Sequence, residues 1–390
     1  MLKLALVEDW QAGGFGLYIH WPFCEAKCPY CDFNSHVSRF IDQDAWREAL
    51  LSELNRAAAP LGKRALNSIY FGGGTPSLMA PETVAGLIHR ASELWSFSNT
   101  IEITLEANPN SVERQRFADY HAAGVNRISL GVQALNNSDL KRLGRLHSAE
   151  DAKVALDAAL NIFDRVSFDL MCARQNQTLA SWEAELTQAL GFGTDHLSLY
   201  QLTIEPGTAF GERYKAGTLR GLPDDDLGAD MFMATQEICE AYEMPAYEVS
   251  NHARPGQESR HNMVYWQYGD YIGIGPGAHG RVTRNGVKFA TETYLNPSEW
   301  LSSVREGCGT STETLLTANE QAEEYLMMSL RTSLGMDLQR FKRLSGKDLP
   351  KDRITEMEEI GLISQDGDRI QITKTGRPLL NAVTSRLLVV

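Results

Sequence analysis

Tyr18–His36, YIHWPFCEAKCPYCDFNSH, is the stretch on which the reading of the whole chain turns. It sets Cys24, Cys28 and Cys31 at Cys-x3-Cys-x2-Cys spacing on one short loop, directly after a strand-like run from Gly16 to Phe23. Three soft thiolate donors this close invite a metal. Zinc in a closed structural site takes four protein ligands, commonly as two paired Cys-x2-Cys arms, and no second arm follows. An iron–sulfur cluster with one iron left without a protein ligand suits a set of three better. The plainer reading is three ordinary buried cysteines; against it, the spacing is tight, and Pro22, Phe23, Pro29 and Tyr30 pin the loop.

The rest of the chain is ordinary globular material. Its 390 residues suffice for one large domain and a small one. Charged residues make up 22% and hydrophobic residues 43%, usual for a globular chain in water. Lys and Arg number 37 against 50 Asp and Glu, a net charge of −13. That argues against a nucleic-acid partner, because phosphate backbones are held mainly by excess Lys and Arg. No apolar run approaches membrane-spanning length, and MLKLALVEDW meets acid at Glu8 and Asp9 before a signal-peptide core can form, so a cytoplasmic protein is expected. Cys172, Cys239 and Cys308 lie far apart, which fits a reducing compartment and a metal site rather than a disulfide framework.

Beyond the cysteine loop, Trp46, Leu50 and Leu54 recur at four-residue spacing and predict a helix over Gln43 to Ala59. Leu66 to Phe71 reads as a strand that ends in Gly72-Gly73-Gly74-Thr75-Pro76, a run that can bring exposed backbone N–H groups to a ligand but is more often a plain loop. A helix follows with Pro81 in its first turn. Ile101 to Ala107 is the next strand, then a helix capped by Ser111 and stopped by Gly124. Arg127 to Gln133 precedes a helix from Ser148, Arg165 to Leu170 precedes one from Thr178, and His196 to Ile204 is the sixth strand. Such alternation means βαβ units and a parallel sheet, here an α/β fold built as a partial (βα)6 TIM-like barrel over residues 1–250.

In parallel α/β folds ligands bind at the carboxyl ends of the strands. Those ends carry the three cysteines, the glycine run, Glu106 with Asn108, Gln133, Asp169, and Tyr200 with Gln201. Any one of these has a bland reading as a capped end. Together they describe a site for a ligand with a cationic part for Glu106 or Asp169 and hydrogen-bonding groups for Gln133 and backbone donors.

These residues resemble the radical SAM superfamily, in the spacing of the cysteines and in the aromatic Tyr30 just before the last of them. The likeness narrows through GGGTPS (72–77), EANP (106–109), GVNRISLGVQ (124–133) and RLGRLH (142–147) to the HemN/HemW branch, and runs from about Leu17 to the C-terminus. The resemblance implies a [4Fe-4S] cluster on Cys24, Cys28 and Cys31. It implies S-adenosylmethionine on the fourth iron, cleaved to a 5′-deoxyadenosyl radical by one electron from an outside donor. It also implies contacts to S-adenosylmethionine from Tyr18, Tyr30, Gly73, Gly74, Thr75, Glu106, Gln133, Arg145 and Asp169. From the residues alone, Arg145 reads equally as a surface residue at a helix start.

Within the branch, the oxygen-independent coproporphyrinogen III oxidases carry a fourth cysteine two places after the third, and here that place is Phe33. His261-Asn262-Met263-Val264-Tyr265-Trp266 matches the HNxxYW motif of the haem-chaperone members, which bind haem and hand it to apo-haemoproteins. The resemblance therefore favours a haem chaperone, with the oxidase as the alternative, and places haem near His261, Tyr265 and Trp266. A neutral imidazole is a natural haem-iron ligand and aromatic rings stack on porphyrin. The residues alone read as well as a satisfied His–Asn pair beside core aromatics, and His279 in GIGPGAHG is a second candidate. One departure stands out. The branch commonly continues after the fifth strand as Asp-Leu-Ile-x-Gly-Leu-Pro, whereas this chain has Asp169-Leu170-Met171-Cys172-Ala173-Arg174-Gln175, which alters the turn presenting Asp169 and is expected to bring Cys172 and Arg174 near the mouth.

Residues 251–317 hold the HNxxYW segment and, from Ser302 to Thr317, a Ser-, Thr- and Gly-rich stretch that reads as a linker. In 318–390, Ala322, Leu326 and Leu330 mark a helix ended by Gly335. A second helix spans Asp352 to Ile360, and a hairpin turns at Asp366-Gly367. This is a winged-helix-like α+β unit. Its Lys and Arg balance its Asp and Glu, so a protein contact or a lid is expected rather than DNA binding. An acceptor lodged in a membrane would be met at the membrane surface.

Overall fold

The computed structural model describes residues 8–388. The reading of MLKLALVEDW as lacking a leader rests largely on residues 1–7, outside the described residues. The chain folds as the alternating pattern demands. Strand β1 (Phe15–Trp21) leads into the cysteine loop, α1 (Gln43–Ala58) returns along the outside, and β2 (Ala65–Gly73) pairs parallel with β1. Next come α2 (Pro81–Leu94), β3 (Ser96–Ala107), β4 (Arg127–Gln133), α3 (Ala149–Ile162), β5 (Arg165–Cys172), α4 (Leu179–Leu190), β6 (His196–Gln201) and α5 (Asp225–Ala241). Every neighbouring pair from β1 to β6 is parallel, giving the open (βα)6 partial barrel. Between β3 and β4 the helix is broken into Ser111–Arg114 and Phe117–Ala122. Its cap is Asn110 rather than Ser111, because the Asn110 Oδ1 accepts the Glu113 N–H at 2.8 Å.

The sheet continues beyond the sixth unit on both edges. Strand β7 (Asn251–Ala253) adds antiparallel to β6, while α6 (Arg260–Trp266) carries the chain back so that β8 (Asp270–Ile274) pairs parallel with the free edge of β1. Antiparallel β9 (His279–Arg284), β10 (Val287–Thr293) and, after α7 (Pro297–Arg305), β11 (Thr310–Leu315) follow. Among the described residues the order is β11-β10-β9-β8-β1-β2-β3-β4-β5-β6-β7. The stretch 302–317, expected as a linker, is thus the end of α7 and an edge strand. Small polar residues serve there because β11 leaves most of its side chains exposed, so no apolar alternation is required.

Packing follows the apolar faces. Trp46 of α1 stacks on Trp300 of α7 with ring centroids 5.4 Å apart, and meets Trp21 and Phe23 edge-on, which clamps the root of the cysteine loop. The added strands are tied by a buried ionic knot. Asp270, fully buried, receives Arg64 Nη1 at 2.7 Å and the Thr283 hydroxyl at 3.0 Å, and lies 3.3 Å from Lys288 Nζ.

The C-terminal part comprises α8 (Ala318–Ser329), β12 (Met336–Asp337), α9 (Leu338–Ser345), α10 (Lys351–Glu359), β13 (Ile363–Asp366), β14 (Arg369–Ile372) and α11 (Leu380–Leu387). Its three short antiparallel strands and helices enclose a separate core around Leu326, Met336, Phe341 and Ile370. Helix α9 was not expected, because eight residues with three charges give little periodic signal. The hairpin turns at Gly367-Asp368, one place later than expected, since Asp366 still pairs with Arg369. Arg340 to Asp9 at 2.7 Å and Arg281 to Glu324 at 2.7 Å moor this unit against the sheet.

Because removing one partner of a buried ionic group strands the others, Asp270→Ala is expected to destabilise the fold by about 3–5 kcal/mol. A urea-unfolding midpoint measured against the parent chain checks this, and an unchanged midpoint would show that Arg64 and Lys288 find other partners.

Candidate functional site

The cysteine loop starts where β1 ends. The Pro22 carbonyl accepts the His36 N–H at 2.7 Å, Phe23–Cys24 pairs with His36–Val37, and the Cys31 N–H donates to the Cys28 carbonyl at 3.1 Å. Cys24, Cys28 and Cys31 are half-exposed and line one cavity of about 620 Å³ at the carboxyl ends of the strands. That is a common size for a cofactor site. Among the described residues no three His, Cys, Asp or Glu side chains are grouped as a single metal ion would need them. A multi-iron cluster asks for donors set wider apart than one ion does.

Donors point at the sulfurs. The Thr75 hydroxyl donates to Cys24 Sγ at 3.4 Å, and Arg145 Nη1 donates to Cys28 Sγ at 3.6 Å. Asn108 joins the two, giving its Nδ2–H to Thr75 Oγ1 at 3.2 Å and accepting Arg145 Nη2–H on Oδ1 at 2.5 Å. A continuous chain, Cys24–Thr75–Asn108–Arg145–Cys28, therefore crosses the cavity floor. Burial raises the Cys24 and Cys31 thiols above their ordinary range, while these donors favour sulfur that carries negative charge. The donor set thus fits a cluster held by thiolates. Arg145 is part of this floor, not a surface residue, and Gly131 makes room for it: a Cβ there would lie 3.2 Å from Arg145 Nη2. The sequence singled out Asn108 as a strand-end residue. Glu113, which fixes the Asn108 backbone N–H at 2.7 Å, carried no signal because it lies in the following helix.

Two carboxylates face the cavity. Glu106 accepts the Tyr70 hydroxyl at 2.7 Å and the Gly73 N–H at 3.2 Å, yet burial, with Asp169 adding repulsion, pushes it up to about 7. Burial likewise raises Asp169 to about 6. Both are groups that a cation in the cavity would stabilise in their ionised form. Tyr30, Gly73, Gly74, Thr75 and Gln133 line the same space.

The glycine run works differently from the expectation of free N–H donors. The Gly74 N–H is spent on the Trp21 carbonyl at 2.7 Å and the Thr75 N–H on the Phe23 carbonyl at 2.8 Å. A Cβ on Gly74 would sit 2.7 Å from the Phe23 oxygen, and Gly73 has φ +113 with the His20 ring 2.6 Å from the Cβ position. Crowding against β1, rather than exposed donors, is what requires glycine here.

The altered turn after β5 leaves Asp169 on the cavity wall. Arg174 and Cys172 are buried away from the mouth, contrary to expectation. Arg174 donates to the Met171 carbonyl at 2.8 Å and to the Gln133 carbonyl at 3.2 Å and pairs with Glu185, so it ties the ends of β4 and β5 together. Ala173 has φ +57, at the position where the resembling sequences carry Gly. Gln133, at φ +72 beside a register shift in β4, is likewise strained.

Tyr18 is not in the first cavity. It lines a second one of about 470 Å³ with Tyr265, Trp266, Tyr271 and His279, to which α8 adds Glu324 and Met328. Strand alternation sends Tyr18 and His20 to this side, where the Tyr18 hydroxyl lies 2.9 Å from His20 Nδ1. The two cavities share Phe33, Gly73 and Glu106. His261 does not line the second cavity. Its ring is 1% exposed, with Nδ1 2.8 Å from the Ser68 hydroxyl and Nε2 2.6 Å from the Tyr265 hydroxyl. Burial pushes it down to about 3, so the ring stays neutral and both nitrogens are taken. The expected haem contact at His261 thus finds a buried ring with no open nitrogen, bonded to Ser68 and Tyr265 rather than to Asn262.

Two outcomes are expected. With Glu106 near 7 and its anion the binding form, affinity for S-adenosylmethionine should fall about tenfold from pH 8 to pH 6. Glu106→Gln should bind weakly and keep only the shallow, roughly twofold fall that Asp169 contributes; equilibrium dialysis on the cluster-loaded protein reads both, and an undiminished tenfold fall in the variant would remove Glu106 from this role. Ala173→Gly should raise stability by about 0.5–1 kcal/mol, seen as a higher urea midpoint, because relief of left-handed strain of about 1–2 kcal/mol outweighs the entropy glycine adds to the unfolded chain.

Comparison with known proteins accords with this geometry. Residues 18–187 match the radical SAM superfamily and 316–379 the HemN C-terminal domain. The chain is 38% identical to radical S-adenosyl methionine domain-containing protein 1, mitochondrial, of Bos taurus, over 95% of this chain and 87% of that protein. It is 37% identical to the haem chaperone HemW of Escherichia coli, over 95% and 97%. The solved structure of Escherichia coli coproporphyrinogen III oxidase HemN superposes with a TM-score of 0.80 at 22% identity, covering 97% of this chain and 92% of that one, a likeness of fold. The match to the radical SAM superfamily, and 37–38% identity over nearly the full length of HemW and its mitochondrial relatives, place this chain in the radical SAM superfamily, in the family of those proteins.

Proposed function

We propose that this chain is a [4Fe-4S]- and S-adenosylmethionine-binding haem chaperone that takes up haem and passes it to apo-haemoproteins in the cytoplasm, where its thiols stay reduced. The observation that carries the reading is the second cavity, walled by aromatic rings and sharing Phe33, Gly73 and Glu106 with the first. Such walls suit a flat, largely apolar ligand, since aromatic side chains offer large contact area. Relatives named haem chaperone HemW, at 37% and 36% identity, support the same reading. So does Phe33, 60% exposed in the place of the oxidases' fourth cysteine.

Cys24, Cys28 and Cys31 would hold three irons of the cluster, and S-adenosylmethionine on the fourth would supply one-electron chemistry when bound. The chain's own residues do the rest. Thr75 and Arg145 donate to the ligand sulfurs, Glu106 and Asp169 receive the cationic part, and Gln133, Tyr30, Gly73 and Gly74 shape the walls. An electron donor and the apo-haemoprotein acceptor come from outside. No helix among the described residues is long and apolar enough to cross a membrane, so a membrane-bound acceptor would be met at its surface.

The test is anaerobic. Cluster-reconstituted protein should retain haem through gel filtration and release it to an apo-haemoprotein, while coproporphyrinogen III with S-adenosylmethionine and a reductant should yield no vinyl groups. Vinyl formation would instead identify an oxygen-independent coproporphyrinogen III oxidase. Release of 5′-deoxyadenosine on another substrate, with no haem bound, would identify a different radical SAM enzyme.

A further inference from the structure

Two imidazoles line the second cavity, His20 and His279. His20 is spent, with Nδ1 on the Tyr18 hydroxyl and Nε2 on the Asn34 carbonyl at 2.9 Å each. His279 stands at the first position of β9, more than half exposed, with Nδ1 3.9 Å from a Glu292 carboxylate oxygen and no hydrogen bond to Nε2 among the described residues. An imidazole with one nitrogen turned to a carboxylate and the other open is the usual arrangement of a metal-ligating histidine. The loop presenting it is rigid. Thr293 Oγ1 donates to the Gly275 carbonyl at 2.6 Å and accepts the Ala278 N–H at 2.8 Å, and Asn34 Nδ2 donates to the Pro276 carbonyl at 2.9 Å. Around the cavity, Tyr265 and Tyr271 meet edge to face at 4.4 Å, and Trp266 adds a third aromatic wall.

We infer that His279 Nε2 is the haem-iron ligand, that the porphyrin lies in the second cavity against Tyr265, Trp266 and Tyr271, and that His261 is a positioning residue that holds the Tyr265 hydroxyl from behind. This rests on the haem-chaperone reading and assigns its iron ligand. Glu292, 3.9 Å from Nδ1, lies beyond direct hydrogen-bond reach and places negative charge beside the ring.

The experiment titrates the cluster-loaded full chain with ferric haem, reading the visible absorption band and haem retention through gel filtration. His279→Ala should shift the band and weaken retention about tenfold or more, and added imidazole should restore the band position. His261→Gln should leave the band where it is in the parent chain while loosening retention. A band unmoved in His279→Ala, or moved by Met328→Leu instead, overturns the assignment while the chaperone reading stands. Failure of the parent chain to bind haem at all overturns the chaperone reading and this assignment with it. Circular dichroism and the cluster spectrum of each variant show that fold and cluster are kept, so a lost band reports the ligand.

Discussion

Everything at the site hangs on a ladder that outruns its strands. Strands β1 and β2 pair parallel up to Trp21 and Gly73, and the pairing then continues as two further backbone bonds, Gly74 N–H to the Trp21 carbonyl and Thr75 N–H to the Phe23 carbonyl. Each is worth only about 1 kcal/mol net, but together they weld the cysteine loop to the end of the neighbouring strand. No side chain fits between the two segments, so the glycines are dictated by the weld itself. With Thr75 held there, its hydroxyl reaches Cys24; with Gly73 held there, its N–H reaches Glu106. The geometry of the sulfurs and of the nearest carboxylate are thus two consequences of one close approach.

The site carries its cost locally. Glu106 and Asp169 are buried near one another and both titrate higher than carboxylates ordinarily do, so the protein without a cationic ligand holds charge it does not favour. Gln133 and Ala173 sit in left-handed backbone at the ends of β4 and β5. Left-handed backbone and raised carboxylates thus meet at the strand ends, on the wall of the cavity. A ligand with a cationic group and a hydrogen-bonding periphery relieves the charge, which links binding energy to features that otherwise destabilise the fold.

Much of this could be read from the chain. Repeated strand–helix alternation gave the six units because each strand end is punctuated by Gly, Asn or a cap, and the ligand cysteines were legible because they are local. What escaped was non-local or depended on direction. Tyr18 lies only six residues before Cys24 but faces the other cavity, since side chains alternate along a strand and the sequence does not say which face is which. His261 finds Ser68 across 193 residues of chain, so nothing near it announces that its ring is spent. Strand β8 completes the sheet by joining the first strand after six units have passed, and β11 has the composition of a linker because its side chains are wet on both faces. The Arg174 anchor was invisible for the same reason: its partners Asp139, Glu185 and the Gln133 carbonyl come from three separate elements.

The two cavities cannot be independent. Phe33 and Glu106 border both, and Asn34, three residues after Cys31, reaches across to the Pro276 and Leu295 carbonyls at 2.9 Å each. His36 and His20 hold that same asparagine at its Oδ1 and its carbonyl oxygen. The segment that would carry the cluster is therefore also the clamp on the loop that ends in His279. Both cavities are thus framed by one hydrogen-bonded segment, Phe33 to His36, whose packing leaves it little freedom to shift piecemeal.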